Sequence, residues 1–401
     1  MEERKKNFFG FVWHGVFLAF TMAFVEVNTV LPAMILKAGG GNFAIGVVTA
    51  ISTGIPLVAQ LFFGGVLHAR PRKRPFLLLG IWMRVTALFS IGLILGSSIS
   101  GASLLVLVFA ILSVFSFSGA FAGISYTDLL GKAVFREDRK RFMVFRQIAG
   151  SVLSLLGGVI ARTIVGNVEY PSNYSWMFFI AATSLAIASV GFLAVSEKRV
   201  ENIAHQRFLS ILKQIPSTLK RCSNLRNYIL FTNSTGFGLI LIPFYVLLAR
   251  TSFGLRGEDV GNFLLFQMVG MLGAGFFWNF FLQRRGLKNL LKLCVRIGGV
   301  LPLLALLLSH TTPLLFSLLF LFSGLTLSAR KMSFEWLLIE ITESDNRALF
   351  TGISGALNLV TALFPLLLGP LITVLGFLPV FVAAAIFVFL GNFFLDRIEL
   401  D

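Results

Sequence analysis

The stretch His68-Ala-Arg-Pro-Arg-Lys-Arg-Pro75 stands between two long apolar runs, residues 43–67 and 76–97. Four cations and two prolines in eight residues cannot continue a helix through hydrocarbon, so the chain turns here in a polar environment. Each flanking run has the roughly 20 mostly apolar residues that a bilayer crossing needs. The stretch therefore reads as a basic turn between two transmembrane helices. The same pattern, an apolar run closed by charge or turn residues, extends outward in both directions.

Twelve such runs are found, at about 8–34, 43–67, 76–97, 103–127, 142–166, 175–195, 226–249, 259–282, 289–309, 313–334, 348–372 and 374–395. Glu169-Tyr-Pro-Ser-Asn173 and His310-Thr-Thr-Pro313 are two of the polar breaks. The composition agrees: of 401 residues 56% are hydrophobic and only 13% charged, with a mean hydropathy of +0.87. A soluble domain carries about 25% charged residues. That excludes a soluble enzyme, a disordered chain and a disulfide scaffold; the two cysteines, Cys222 and Cys294, make no zinc pair. Met1-Glu-Glu-Arg-Lys-Lys6 leads into the first run without a small-residue cleavage site, so that run is expected to be a retained span.

The net charge of +16, from 34 Lys and Arg against 18 Asp and Glu, resembles that of a nucleic-acid binder until it is sorted by span. With the N-terminus inside and every run crossing, 28 of the 34 cations fall on the cytoplasmic side, Lys37, Arg250 and Arg256 on the other, and Arg84, Arg162 and Arg296 within spans. This is the positive-inside asymmetry of a multi-pass cytoplasmic-membrane protein with both termini cytoplasmic. The basic loops are accounted for by topology, and no nucleic acid partner is expected.

Residues 196–225 are the longest polar stretch and have six runs on each side. This divides the chain into 1–195, a cytoplasmic linker at 196–225, and 226–401. In the linker Ile203, Phe208, Leu209, Ile211, Leu212 and Ile215 lie among Lys and Arg, as on an amphipathic helix at a membrane face or in a solvated connector. The halves also share marks in order. Pro32 matches Pro243, Arg84 matches Arg296, and the turn after span 2 matches Gln283-Arg-Arg-Gly-Leu-Lys288. Phe115-Ser-Phe-Ser-Gly119 matches Phe320-Leu-Phe-Ser-Gly324, and Arg139-Lys-Arg-Phe142 matches Arg347-Ala-Leu-Phe350.

With these features the chain resembles the major facilitator superfamily over its whole length. The local signature is Gly65-Val-Leu-His-Ala-Arg70-Pro-Arg-Lys73-Arg74, similar to that family's Gly-x-Leu-Ala-Asp-Arg-x-Gly-Arg-Lys loop at Gly65, Leu67, Arg70, Lys73 and Arg74. Ala69 and Gln283 stand where the family has an acid that latches the two halves, and Arg72 where it has a second glycine. Ser154-Leu-Leu-Gly157-Gly158 keeps the glycine pair of the family's antiporters without their proline. The resemblance implies an all-α membrane protein of twelve transmembrane helices in two pseudo-symmetric six-helix halves. It also implies spans 1, 4, 7 and 10 around a central cavity, and transport by alternating access.

Polar side chains inside spans carry the functional expectation, because hydrocarbon tolerates them only where they face a partner, the bundle interior or a wet cavity. In span 1 His14, Thr21 and Asn28 are seven apart and so share a helix face, with Glu26 beside them. A carboxylate in apolar surroundings can exchange protons near neutral pH, which makes Glu26 the coupling candidate or else the partner of a nearby arginine. Arg84 and Arg296 are expected to pair with Asp128 and with Glu335 or Glu340 as structural ion pairs, or else to serve as substrate-binding or gating groups. Tyr126, Asp128 and Arg146 in one half, and Arg330, Lys331, Glu335 and Glu340 in the other, are gate candidates or solvated helix ends. Ser52, Thr53, Ser116, Asn233, Gln267, Thr326 and Asn358 are midplane candidates for substrate hydrogen bonds, although buried Ser and Thr often bond their own helix.

No P-loop, H-E-x-x-H motif or arguable Ser-His-Asp set is present, and no cofactor, metal or catalysis is expected. The expected function is secondary transport of a small organic solute by a monomer, with proton or sodium as coupling ion. A lipid, lysolipid or other amphiphile as cargo, and a membrane sensor that transports nothing, are the alternatives.

Overall fold

The computed structural model describes residues 2–68, 72–193, 195–197, 208–342 and 347–399. In chain order its helices begin with α1 (Glu2–Phe24), α2 (Val30–Lys37), α3 (Asn42–His68), α4 (Arg74–Leu95), α5 (Gly101–Ala133), α6 (Arg136–Asn167), α7 (Ser172–Val190) and α8 (Phe208–Arg221). They continue with α9 (Ser223–Ile240), α10 (Ile242–Phe253), α11 (Gly257–Leu308), α12 (Pro313–Phe316), α13 (Leu318–Glu340), α14 (Arg347–Leu363), α15 (Pro365–Leu375) and α16 (Phe377–Asp396). No strand occurs among the described residues.

Eleven helical stretches are long and apolar enough to cross a membrane. One of them, α11, has 52 residues. At 1.5 Å per residue it would run about 78 Å, more than twice the roughly 30 Å of hydrocarbon. It does not run straight: Gly286 has φ 77° and ψ 171°, a backbone state that residues with a Cβ avoid. The chain turns there, inside Gln283-Arg-Arg-Gly-Leu-Lys288, and α11 comprises two spans. That brings the number to the twelve expected. Phe276, Val360 and Val374 are each at least 70% exposed, as lipid-facing side chains are.

Four spans break once, and three of the breaks precede a proline. Span 1 unwinds at 25–29 ahead of Pro32, span 7 at Leu241 ahead of Pro243, and span 11 at Phe364 ahead of Pro365. Proline has no N–H for the preceding turn, so the ladder is interrupted where the residue falls. The fourth break, at Ser317, separates α12 from α13 in span 10.

The chain forms two compact units, Met1–Gly39 with Ile51–Gln206, and Gly40–Ala50 with Arg207–Asp401. In the first unit α4 packs on α5 and α7, and α1 on α6 and α7. In the second α11 packs on α13 and α16, and α9 on α14 and α16. In span numbers the first unit pairs 3 with 4 and 6, and 1 with 5 and 6. The same pairs recur six spans later, with α11 against 10 and 12, and 7 against 11 and 12. The internal repeat read from scattered residues is thus a repeated packing scheme.

The first unit's core includes Phe11, Phe24, Leu88, Phe178, Leu185 and Phe192, and the second's includes Phe231, Leu291, Phe334, Leu337, Ile353 and Leu395. Of the linker, Lys198–Arg207 lies outside the described residues. Its remainder forms α8, whose Ile215 and Leu219 pack against the second core beside Leu225. The start of α3 belongs to the second unit, where Asn42 Nδ2 donates to Thr373 Oγ1 of α15 at 2.9 Å.

Candidate functional site

In the first unit the residues that share a helix face by spacing do not share one helix. α1 stops at Phe24, so Asn28 lies in the break and the stripe of His14, Thr21 and Asn28 is interrupted. The cause is Glu26. Its carboxylate accepts from Asn28 N at 2.7 Å, Asn28 Nδ2 at 2.8 Å, Thr29 N at 2.8 Å and Thr29 Oγ1 at 2.9 Å. These include backbone N–H groups at the start of α2, which have no carbonyl of their own helix to meet. A negative group at a helix N-terminus is favourable both as acceptor and as charge. Glu26 therefore holds the break together. Thr21 Oγ1 bonds its own helix at Phe17 O, 2.9 Å away.

Deeper in α1, His14 is buried, with Nδ1 3.2 Å from Ala188 O. A carbonyl only accepts, so Nδ1 carries the hydrogen. The ring lies 5.8 Å from that of Tyr126 and 4.5 Å from that of Phe192, centroid to centroid. Arg84 and Arg146 are both within electrostatic reach of it. Arg84 does not pair with Asp128 as expected. Its guanidinium lies 4.4 Å from the centroid of Phe115, with Nη2 3.7 Å from Met22 Sδ, and its Nε is shielded and makes no hydrogen bond among the described residues. Arg146 approaches the Tyr126 ring at 5.7 Å, and the Tyr126 hydroxyl is likewise shielded and unpartnered among the described residues. Ser116, next to Phe115, is buried, and Ser52 and Thr53 on α3 are half-buried.

Asp128 lies instead 3.7 Å from Nζ of Lys73, which is 1% exposed. Glu197 completes this corner by accepting from Lys73 N at 2.5 Å and Arg74 N at 3.0 Å, at the start of α4, while Arg74 Nη2 donates to Leu193 O at 2.6 Å. The basic turn is therefore tied down by one acid from α5 and one from beyond α7. Sequence reasoning missed Glu197 because it sits in the polar linker, where an acid carries no signal. Gly65 falls within α3, and Arg70 lies outside the described residues.

In the second unit Arg330 turns into the bundle and not toward the acids of its own helix end. Nη1 donates to Thr235 Oγ1 and Nη2 to Thr232 O, both at 2.9 Å, and the guanidinium lies 4.4 Å from the Phe334 centroid. Thr232 continues into a side-chain network. Asn358 Oδ1 accepts from Thr232 Oγ1 at 3.2 Å and from Asn233 Nδ2 at 3.0 Å, and Asn233 Oδ1 accepts from Thr361 Oγ1. Asn233 and Asn358, singled out by span position alone, are thus brought together across α9 and α14. Beside Arg330 is a cavity with about 20 Å³ open to water centres, lined by Thr235, Cys294 and Thr326 among others. That is room for a water, about 10–15 Å³ being the minimum.

The remaining candidates do not join this network. Arg296 is exposed on α11 beside Arg285, Asn289 and Lys292, so the counterpart of Arg84 faces outward and pairs with no acid among the described residues. Glu340 accepts from Trp336 Nε1 at 3.2 Å, and the side chains of Glu335 and Lys331 lie outside the described residues. Thr326 Oγ1 bonds Ser323 O of its own helix at 2.8 Å. Gln267 is buried on α11 against α13. Among the described residues no three His, Cys, Asp or Glu are placed to hold a metal ion.

No curated protein matches the chain significantly. Solved structures with a similar fold include a POT family transporter in complex with 5-aminolevulinic acid, at 12% identity and TM-score 0.69, covering 97% of this chain and 94% of that one. The nucleoside transporter NupG aligns at 14% identity and TM-score 0.65, covering 99% of each chain. At such identities the likeness is one of fold. The family of MFS/sugar transport proteins matches residues 68–379, more than three quarters of the sequence. With twelve spans, a repeated six-span packing scheme and that match, the chain is a multi-pass membrane protein that belongs to the MFS/sugar transport protein family.

Proposed function

We infer that this chain is a secondary transporter that carries a small organic solute across the cytoplasmic membrane by alternating access, with both termini cytoplasmic. The observation that carries this reading is the duplicated packing scheme, in which each unit breaks its first span and keeps polar groups in its bundle. Two similar bodies with polar interiors are what rocking about a midplane site requires. Solutes of the kinds named for the family and its structural neighbours (sugars, peptides, 5-aminolevulinic acid, nucleosides) form the first panel to test. Proteoliposomes containing the purified chain should accumulate at least one radiolabelled member of that panel under an imposed proton or sodium gradient. Uptake that stays at the level of empty vesicles for all of them, under either gradient, would defeat the reading.

Glu26 is the coupling group in this proposal. Protonating it replaces an ionised acceptor of four hydrogen bonds by a neutral one, and bonds to an ionised group are roughly twice as strong. Proton binding thereby loosens the joint between α1 and α2. Glu26→Gln should retain exchange of labelled solute down its gradient but lose accumulation driven by a pH gradient. If Glu26→Gln accumulates solute like the parent at every pH, the coupling group lies elsewhere.

A further inference from the structure

In the second unit the two spans of α11 flank a groove of about 330 Å³, lined by Phe281, Arg285, Asn289, Lys292, Leu293 and Arg296. Phe281 and Arg285 come from the end of the first span, and the other four from the second span, beyond the turn at Gly286. The size falls within the range of small-molecule sites, about 300–1,000 Å³. Asn289, Lys292 and Arg296 are spaced by three and four residues, so they lie on one face of the second span. Arg296 is exposed and stands ten residues past Gly286, about 15 Å along the helix, which places it inside the span and not in the turn. Side chains on a helix lean toward its N-terminus, so Arg296 leans back toward Lys292 and the turn.

The protein does not balance the charge of this groove. Lys292 Nζ lies 2.5 Å from Asp396 Oδ1 at the end of α16, but Arg285 and Arg296 pair with no acid among the described residues. Asn289 Nδ2 donates to Arg285 O at 2.8 Å and so ties the two sides of the turn together. A guanidinium that faces lipid is costly, and it does not lose its proton to relieve that cost. Snorkelling brings its head nearer the interface but supplies no counter-charge. Further into the span the same face is apolar. Val300, Leu303 and Leu307 stand four, seven and eleven residues past Arg296 and are all exposed. The face thus passes from cations near the turn to bare aliphatic side chains in the hydrocarbon. An anionic phospholipid has the same polarity, a phosphate at the interface with acyl chains below it. A soluble anion would meet the cations and leave the apolar stretch unused.

We propose that this groove holds the phosphate of an anionic phospholipid between Arg285 and Arg296, with its acyl chains along Val300, Leu303 and Leu307. The planar fork of a guanidinium matches phosphate oxygens, and basic pockets between transmembrane helices take such headgroups. Lys292 adds charge while keeping Asp396. The site belongs to the second unit alone, because Arg84, at the matching place in span 3, lies against Phe115 within its bundle. The lipid is held by the fold and is not the transported solute, so the site does not rest on the transport reading.

The test is thermal unfolding of the purified full chain in neutral detergent at constant ionic strength, followed by helical circular dichroism. Phosphatidylglycerol, phosphatidylcholine and glycerol phosphate are added in turn. Phosphatidylglycerol should raise the melting temperature saturably, by mass action, and the other two should not at the same concentration. Arg285→Gln and Arg296→Gln should each weaken the apparent affinity for phosphatidylglycerol about fivefold, and the double variant about 25-fold, from the worth of one cation near an anionic lipid surface. Lys5→Gln with Lys220→Gln removes two exposed cations outside the groove and should leave the affinity unchanged. Arg285→Gln, at the turn, carries the test by itself if a variant within the span does not fold. The site is overturned if phosphatidylglycerol gives no shift, if phosphatidylcholine shifts the melting temperature equally, or if the groove variants respond like the parent. Equal weakening by Lys5→Gln with Lys220→Gln would overturn it too, because attraction would then follow net charge and not the groove. A shift from glycerol phosphate as large as that from phosphatidylglycerol would overturn the assignment to a lipid.

Discussion

Where α11 crosses α13, two glycines face each other's helix, and this predicts a coupled loss of stability. A Cβ added at Gly270 would lie 2.0 Å from the carbonyl oxygen of Leu321, and one at Gly324 would lie 2.2 Å from that of Gln267. Ordinary contact begins near 3.4 Å, so each methyl is short of room by about 1.4 Å and 1.2 Å. Both obstacles are backbone and cannot rotate away, so the helices must part. A radial gap of 0.5–1 Å already forfeits about a quarter to a half of the dispersion energy across it. Together with overpacking strain of about 1–3 kcal/mol, this puts Gly270→Ala or Gly324→Ala at about 3 kcal/mol each. The two sites share one crossing, at 267–270 on one helix and 321–324 on the other. Once the first methyl has separated the helices the second costs less, and the double variant should lose about 4 kcal/mol, not 6. For a unit of about 200 residues each kcal/mol corresponds to about 2–4 °C, so single variants should melt about 6–12 °C lower.

Cys294 reports unfolding of the same unit. It is buried on the second span of α11, beyond the turn at Gly286, with Sγ 4.0 Å from Thr326 O of α13, so a thiol-reactive fluorogenic dye reaches it only when α13 comes away from that span. The half-buried Cys222 would be replaced by serine in every protein. Gly273→Ala and Gly275→Ala serve as controls on the same helix, since an added methyl there meets nothing within 4 Å. They should be neutral or slightly stabilising, because alanine is the better helix former. Melting of Gly270→Ala and Gly324→Ala within a degree or two of the parent, or strict additivity in the double variant, would refute the reasoning.

Three further outcomes are expected. Lys73→Met should destabilise the first unit by about 3–5 kcal/mol by removing the ammonium beside Asp128, and Lys73→Met with Asp128→Leu should recover most of that, as read from the loss of helical circular dichroism on heating. Asp138, outside the membrane, is held below the usual carboxylate range by its hydrogen bonds from Arg4, one of them at 2.8 Å. Its contribution to stability is present above its unfolded-state value, about 3.9, and is lost as pH falls through the lower folded-state value. The melting difference between the parent and Asp138→Asn should therefore be constant from pH 7 to about 5 and vanish in strong acid. Asn358→Leu removes the acceptor shared by Thr232 and Asn233, and should lower the melting point by about 1–3 kcal/mol equivalent and reduce uptake, with Asn358→Asp closer to the parent.

The number of spans and the two six-span groups were legible along the chain, because each depends on sums over some 20 neighbouring residues. The basic turn at 68–75 needs no tertiary information to be excluded from hydrocarbon. The six-span repeat was legible through Pro32 with Pro243, each of which follows a break in the first span of its unit, although Pro56, Pro302 and Pro370 sit inside helices that continue. What a sum over neighbours does not contain is direction. Arg84 and Arg296 occupy matching places, yet one lies in a bundle against Phe115 and the other is exposed. The spacing of His14, Thr21 and Asn28 presumed a continuous helix, and the turn built by Glu26 ends it at Phe24. Which acid meets which base was decided only in three dimensions. Asp128 went to Lys73 and Glu197 to the start of α4, while Arg84 Nε and the Tyr126 hydroxyl make no hydrogen bond among the described residues. Hydropathy places a residue in the membrane; only packing decides whether it faces lipid, a partner or a site still to be filled.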